Sequence, residues 1–217
     1  CLEDAGQIGN SEWIPLLSLP KILNINPQRP LITEPYLKAP QELIQKWRKL
    51  LRKENKPLIG INWQGNPKTE VNVAEGRSLE LDLFSNFIAE TDARFVSLQK
   101  GCGSEQLGGY QHQDKFVGCQ KQITNTLDFL ETAAIIANCD LVITSDTCVA
   151  HLAGGLGKQT WLLLKKIPDW RWGLEGQQTA WYPSVRLFRQ DKIGDWDTVM
   201  KNVSKHFKRK EWLPMHD

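Results

Sequence analysis

Residues 139–157 constrain the fold more than any other segment, because they predict a buried strand, a tight turn and a small-residue helix in succession. The run from Leu141 to Ile143 is entirely apolar, as expected of a parallel strand covered on both faces. The predicted buried face of the helix comprises Ala150, Leu152, Ala153 and Leu156. Gly157 then ends the helix, and residues 161–164 predict a second strand after a very short connection.

The turn between this strand and this helix is the strongest candidate for a ligand site. Asp146 and Thr147 are both predicted to cap the helix, whose N-terminus carries free N–H groups and roughly half a positive charge. Such an end suits a phosphate group, and His151 lies one turn further along. A purely structural reading fits the same residues, with Asp146 only as a cap and His151 only as a hydrogen-bonding core residue.

Strands and helices alternate over most of the chain. Strands are predicted at residues 58–63, 94–98, 115–118 (weakly), 141–143 and 161–164, and helices at residues 40–54, 81–89, 104–108, 128–138 and 196–208. In the helix at 128–138, Asp128 and Glu131 have capping-box spacing. This alternation predicts an α/β fold with a doubly wound parallel sheet, in which ligands bind at the carboxyl ends of the strands.

Six segments in a fixed order resemble a known family. They are Ile59-Gly-Ile-Asn-Trp-Gln-Gly-Asn-Pro67, Arg77-Ser-Leu-Glu-Leu81, Phe95-Val-Ser-Leu-Gln-Lys-Gly101, Asp128-Phe-Leu-Glu-Thr-Ala-Ala134, Ser145-Asp-Thr-Cys-Val-Ala-His-Leu-Ala-Gly154 and Pro168-Asp-Trp-Arg-Trp172. Together they resemble the C-terminal, nucleotide-sugar-binding half of GT-B glycosyltransferases of the heptosyltransferase-like, family 9-like group. The most similar variety follows tetratricopeptide repeats in bacterial proteins. The resemblance covers residues 16–190, and Cys148 departs from it by replacing the usual Gly or Ala.

The resemblance implies a Rossmann-like donor-binding domain at residues 40–217, preceded at residues 1–39 by a remnant of the N-terminal half and a linker. It implies inverting transfer of a hexosyl or heptosyl group from a nucleoside-diphosphate sugar to an acceptor hydroxyl. In related enzymes the catalytic base tends to come from the N-terminal half, so no base is assigned. The resemblance thus implies an N-terminal half and tetratricopeptide repeats upstream. It also implies little or no transfer by the isolated chain.

Two loops supply further candidate donor-binding residues. Gly65 and Asn66 lie in a turn that lets the backbone approach a ligand closely, although a plain turn would have the same sequence. The polar stretch 68–76 is long for a connection and predicts a mobile loop that orders over substrate. Arg77 and Ser78 close that loop with donors suited to a diphosphate, and the alternative for Arg77 is a surface ion pair.

Gln99 and Lys100 follow the second predicted strand and are candidates to meet the nucleotide base or ribose, although Lys100 also fits a solvated loop. Arg171 is a candidate phosphate contact within an aromatic cluster that is predicted mainly to pack a long loop against its domain. The aromatic members are Trp170, Trp172, Trp181 and Tyr182.

Composition narrows the function classes. The net charge of +2 argues against a nucleic-acid-binding protein, which normally has a strong basic excess. Five cysteines without paired spacing predict free thiols in a reducing cytoplasm, two of them in core elements, and no metal site. The sequence contains no transmembrane segment. Since the sequence offers no DxD-like carboxylate motif aimed at a divalent ion, we expect neither metal nor cofactor, with the nucleoside-diphosphate sugar acting as a substrate.

Two other functions fit the sequence less well. The chain could be a non-catalytic module that binds nucleotide or protein beside helical repeats, although Arg77, Asp146 and His151 argue against it. A sugar-nucleotide epimerase of related fold would need carboxylates over the sugar, and Asp146 is the one convincing candidate. The sequence does not specify the base, the sugar, the acceptor or the oligomeric state.

Overall fold

The computed structural model describes residues 14–25, 34–70, 76–126 and 128–213, which belong to two compact units, Cys1–Leu31 and Ile32–Asp217. In the first unit a 3-10 turn at Leu16–Ser18 leads into one helical turn, α1, at Leu19–Ile22. The second unit contains the whole sheet and all the candidate site residues. Assignment of residues 1–39 to a remnant of an N-terminal half stays a prediction.

The second unit is built on a five-stranded, wholly parallel sheet. Its strands are β1 (Leu58–Asn62), β2 (Arg94–Ser97), β3 (Leu141–Ser145), β4 (Thr160–Leu164) and β5 (Val185–Arg189), in the order β2-β1-β3-β4-β5. All residues of β1, β3 and β4 are buried, as their apolar runs predict. The predicted doubly wound parallel sheet is therefore confirmed.

Helices cover both faces of this sheet. They are α2 (Gln41–Leu51), α3 (Ser85–Glu90), α4 (Gln120–Thr124), α5 (Phe129–Asn138), α6 (Cys148–Gly155) and α7 (Trp196–Lys208). Helices α3 and α7 contribute to one buried apolar cluster, whereas α2, α5 and α6 contribute to a second cluster on the opposite face. Glu131 of α5 accepts hydrogen bonds from Lys46 and the Trp47 indole, which fixes α2 against α5.

Several predicted elements differ from the structure. Residues 115–118 form no strand, because Phe116 makes only a single bridge to Phe95 before the chain turns into α4. The predicted helix at 81–89 begins as a 3-10 turn at Leu81–Phe84 and continues as α3. The sequence analysis missed β5, in which Arg186 and Arg189 interrupt the apolar residues at the edge of the sheet.

The capping predictions were correct in part. Thr147, not Asp146, is the N-cap of α6, because the Thr147 hydroxyl accepts from the Val149 N–H at 3.3 Å. At α5, the Asp128 carboxylate accepts from the Glu131 N–H at 2.7 Å, as predicted. The Glu131 side chain does not complete the reciprocal capping box because it is bonded to α2 instead.

The strand order places one crevice in a defined position. Starting from β1, the chain adds β2 on one side and then β3, β4 and β5 on the other. The connections that leave β1 and β3 therefore diverge, and they leave a crevice at the carboxyl ends of these two strands. Ligands of open α/β sheets bind at such switch points.

Candidate nucleotide-binding site

A buried polar network ties together the carboxyl ends of β1, β2 and β3. The Asn62 Nδ2 donates to Gln99 Oε1 at 2.7 Å, while the Asn62 Oδ1 accepts from the Thr147 hydroxyl at 2.7 Å. Gln99 Oε1 also accepts from the backbone N–H groups of Trp63 and Gln64 at 3.2 and 3.1 Å. Its Nε2 donates to the carbonyls of Gln64 and Cys102. The Gln99 amide thus holds together the loop after β1 and the loop after β2.

Above this network lies a cavity of about 440 Å³. The described residues that line it are Asn62, Gln64, Gly65, Asn66, Leu98, Gln99, Lys100, Gly101, Cys102, Asp128, Phe129, Thr132, Thr147, Cys148 and Val149. They come from the ends of β1, β2 and β3 and from the first turns of α5 and α6. The volume is within the range of small-ligand sites.

The first turn of α6 supplies donors to this cavity. Thr147 satisfies the N–H groups of Val149 and Ala150 through its hydroxyl and carbonyl. In the described part of the chain the N–H of Cys148, the first residue of the helix, has no hydrogen-bond partner. An anion in the cavity could accept this bond and would also experience the positive end of the helix dipole. Cys148 itself is exposed.

Lys100 forms the wall opposite α6. Its ammonium donates to the Thr126 carbonyl and hydroxyl, both at 2.5 Å, and to the Thr132 hydroxyl at 3.0 Å. Burial lowers the pKa of Lys100 below its usual value. These bonds fix the start of α5 against the loop after β2, so Lys100 shapes the cavity and keeps a positive charge in its wall.

Arg77 and Ser78 act through a residue that the sequence analysis missed, Glu70. The Glu70 carboxylate, with only 6% of its side chain exposed, pairs with the Arg77 Nε at 3.1 Å and accepts from the Ser78 hydroxyl. The Ser78 hydroxyl in turn accepts from the Gly65 N–H at 3.0 Å. A Cβ on Gly65 would lie 3.1 Å from Glu70 Oε1, so the glycine allows this close packing.

The ion-pair alternative for Arg77 describes the observed contact, although the partner is largely buried rather than superficial. Neither Arg77 nor Ser78 lines the cavity. Of the predicted mobile loop at 68–76, residues 71–75 lie outside the described residues, and Pro67–Thr69 forms a single 3-10 turn.

His151 lies on α6 in an aromatic enclosure. Its ring stacks on Trp172 with centroids 5.2 Å apart and planes inclined by 23°, and its Nδ1 is 2.9 Å from the Tyr182 hydroxyl. Burial, followed by the positive charge of Arg171, lowers the pKa of His151. The imidazole is therefore neutral at physiological pH. The prediction of a packed aromatic loop holds for Trp172 and Tyr182, whereas Trp170 is 66% exposed.

Arg171 and Asp146 lie near His151 but outside the wall of the cavity. The Arg171 Nε is 3.4 Å from a carboxylate oxygen of Asp169, and its guanidinium lies over Trp170, 5.7 Å from the centre of that ring. Asp146 follows β3 and is buried, and its negative charge raises the pKa of His151 against the larger effects of burial and Arg171.

The predicted site residues therefore form two groups. Those in the cavity wall are Gly65, Asn66, Gln99, Lys100 and Thr147, and those outside it are Arg77, Ser78, Asp146, His151 and Arg171. Sequence reasoning missed Asn62, whose amide joins β1 to both neighbouring loops. A signal was available, because a polar residue at the end of an otherwise apolar strand requires a buried partner.

In residues 14–25, 34–70, 76–126 and 128–213, no three His, Cys, Asp or Glu side chains form a cluster that could hold a metal ion. Within the same ranges, no helix has both the length and the apolar character needed to span a bilayer.

The chain is similar in sequence to a curated bacterial protein. No protein-family model matches the chain. Protein FlbA from Caulobacter vibrioides is 27% identical over 150 residues, which cover 68% of this chain and 24% of FlbA. The chain thus spans about a quarter of the length of this relative.

The solved structures that are similar to the chain include the following three. ADP-heptose lipopolysaccharide heptosyltransferase II from E. coli has a TM-score of 0.49 and 14% identity, over 84% of this chain and 56% of that protein. A family 9 glycosyltransferase from Veillonella parvula has a TM-score of 0.42 and 12% identity, over 81% and 46%. The wall teichoic acid polymerase TagF has a TM-score of 0.43 and 13% identity, over 79% and 40%.

Proposed function

We propose that residues 40–217 are the donor-binding domain of a glycosyltransferase and hold a nucleoside-diphosphate sugar in the cavity between the ends of β1, β2 and β3. The observation that carries this proposal is the position of the cavity. It lies at the switch point of the sheet and receives the N-terminus of α6. The ordered set of segments that resembles heptosyltransferase-like GT-B enzymes supports the same assignment.

The wall of the cavity matches the parts of such a ligand. Leu98, Phe129 and Val149 offer apolar surface for a base, and Gly65 and Gly101 keep the backbone accessible beside it. The Cys148 N–H and the Lys100 ammonium supply positive potential for a diphosphate. Asp128 is the single carboxylate among the described lining residues, and its Oδ1 already caps α5.

The proposed chemistry is inverting transfer, in which an acceptor hydroxyl attacks the anomeric carbon and the nucleoside diphosphate leaves. Charge then develops on the diphosphate, where a preorganised helix N-terminus stabilises it without the need to reorient solvent. His151, held neutral one turn along α6, is available as an additional hydrogen-bonding group. We assign no catalytic base and no acceptor.

Ligand binding with a matched pair of variants tests the proposal. Calorimetric titration with ADP, UDP, GDP and CDP should show one nucleotide bound by the wild-type chain. Because Cys148 is exposed in the cavity wall, Cys148→Trp should fill the cavity and abolish this binding, whereas Cys148→Ser should preserve it. Equal binding by the Trp variant would place the ligand elsewhere, and no binding of any nucleotide by the folded wild-type chain would refute the proposal.

A non-catalytic binding module is the second candidate. Gln99, Lys100 and Arg77 all make internal bonds, which would maintain a binding pocket without requiring catalysis. Both functions predict nucleotide binding, but only the transferase predicts release of the nucleotide together with transfer of the sugar to an acceptor. The epimerase alternative lacks support in the cavity, since Asp128 is its one described carboxylate and serves as a helix cap.

A further inference from the structure

Tyr182 packs against α6 with its hydroxyl within hydrogen-bond distance of His151. The Tyr182 ring packs directly on Gly154 of α6, where an added Cβ would lie 2.5 Å from a ring carbon. This close approach places the Tyr182 hydroxyl 2.9 Å from His151 Nδ1, while Trp172 covers one face of the imidazole. Gly154, one helical turn after His151, therefore allows the position of the Tyr182 ring and its hydrogen bond to His151.

The protonation of the Tyr182 hydroxyl and of the two His151 ring nitrogens follows from their surroundings. Burial raises the pKa of the Tyr182 phenol above its usual value, so the hydroxyl keeps its proton, and burial lowers the pKa of His151, so the imidazole carries one proton. An imidazole nitrogen is a better acceptor than a phenol oxygen. Tyr36 Oη lies 3.5 Å from Tyr182 Oη and donates to it, which leaves the Tyr182 proton for Nδ1.

We propose that Tyr182 is a positioning residue that holds His151 in the tautomer with its proton on Nε2, so that this N–H donates to a diphosphate that extends from the cavity along α6, past the wall that His151 does not line. The ligand part of this inference rests on the proposed function. In the described part of the chain, Nε2 has no hydrogen-bond partner. Tyr36, which donates to the Tyr182 hydroxyl, is exposed and lies in the segment before α2. The Tyr36 backbone N–H donates to the Gly155 carbonyl at the end of α6 at 3.0 Å.

The charged groups around His151 are consistent with a neutral donor. Burial lowers the pKa of His151 most and Arg171 lowers it further, whereas Asp146 and Asp169 each raise it by less, so that the pKa stays below its usual value and the ring is neutral. Arg171 and a neutral Nε2–H together present donors to an anion. An imidazolium would instead donate from Nδ1 to the Tyr182 oxygen, which would then have to direct its own proton elsewhere while it still accepts from Tyr36.

Nitrogen NMR tests the tautomer without any ligand. In ¹⁵N-histidine-labelled protein, long-range ¹H–¹⁵N correlations distinguish the two neutral tautomers, and His151→Gln assigns the signal among the four histidines. We expect a protonated Nε2 and an unprotonated Nδ1 at pH 7.5. Tyr182→Phe should give a mixture of both tautomers, whereas the control Tyr110→Phe, which removes a hydroxyl bonded to Ser85, should leave the signal unchanged. A protonated Nδ1 in the wild-type protein would overturn the inference.

Titration with inorganic pyrophosphate tests the donor role. We expect the Nε2 resonance of His151 to shift on binding, and Tyr182→Phe to weaken binding roughly two- to fivefold because the competent tautomer is only partly populated. Loss of binding by Tyr182→Phe with an unchanged tautomer would indicate a merely structural role and contradict the proposal. The expected tautomer together with no binding of pyrophosphate or nucleotide would refute the proposed function and the donor role, but not the Tyr182–His151 arrangement.

Discussion

Replacing Gln99 by Met should disconnect the loops that form the cavity. The substitution keeps the length and approximate volume of the side chain but removes every polar atom of the amide. Gln99 is 3% exposed, and its oxygen accepts from the Asn62 amide and from the N–H groups of Trp63 and Gln64. Asn62 has little freedom to find a new acceptor, because its own oxygen is bonded to Thr147.

The expected cost follows from the donors left unpaired. A buried donor without a partner costs about 1 to 3 kcal/mol, so the two backbone N–H groups alone cost about 2 to 6 kcal/mol. Burial of the more apolar Met offsets roughly 1 to 2 kcal/mol. We therefore expect a loss of about 3 kcal/mol in the free energy of unfolding, or a Tm lowered by roughly 6 to 12 °C.

Urea denaturation and calorimetry measure this loss directly. Gln122→Met, an exposed position on α4, is the matched control and should change the free energy of unfolding by less than about 0.5 kcal/mol. Nucleotide affinity of Gln99→Met should be measured well below its Tm, where we expect it to be weakened because the cavity walls are no longer joined. A Gln99→Met protein with the stability and affinity of the wild type would refute the idea that this amide organises the site.

Three further substitutions test other parts of the structure. Gly154→Ala should lower the free energy of unfolding by about 1 to 3 kcal/mol in urea denaturation, because the added Cβ would clash with the Tyr182 ring. This is opposite to the usual stabilisation by Ala in a helix. Gly118→Ala, with open space around it, is the control and should change the free energy of unfolding very little. Thr147→Val should cost about 1 to 2 kcal/mol by the same measurement, because it removes the α6 cap and a bond to β1. Since the pKa of His151 is lowered on folding, the unfolded chain takes up its proton first as pH falls below 6.5. Stability of the wild type should therefore drop more steeply below that pH than stability of His151→Gln, as measured by denaturation at several pH values.

The sequence predicted the sheet well because its central strands are buried on both faces and therefore have continuous apolar runs. Strand β5 was missed for the opposite reason: it lies at the edge, and Arg186 and Arg189 interrupt its apolar pattern. The cap of α6 was assigned ambiguously, since Asp146 and Thr147 are both good capping residues and only the backbone geometry decides between them.

The candidate site was predicted as a set of residues but not as a set of contacts. Sequence spacing places Gln99 and Lys100 at the end of a strand, yet their internal partners, Asn62 and Thr132, come from distant parts of the chain. The bond between Arg77 and Glu70 was equally inaccessible, because it depends on how the loop after β1 folds back. The local sequence indicates at most that a buried polar side chain such as Asn62 needs a partner, and it does not identify that partner.

Protection of the cavity cysteines from alkylation tests the central claim most directly. Cys102 and Cys148 line the cavity and are exposed, whereas Cys119 and Cys139 are buried and serve as internal controls, with burial raising the pKa of the Cys139 thiol to about 12. Peptide mass spectrometry after treatment with iodoacetamide should show Cys148 alkylated in the free protein. A nucleotide sugar should then protect it with a half-saturation equal to the Kd from calorimetry. Binding that leaves the alkylation rate of both Cys102 and Cys148 unchanged would contradict the assignment of this cavity as the nucleotide site.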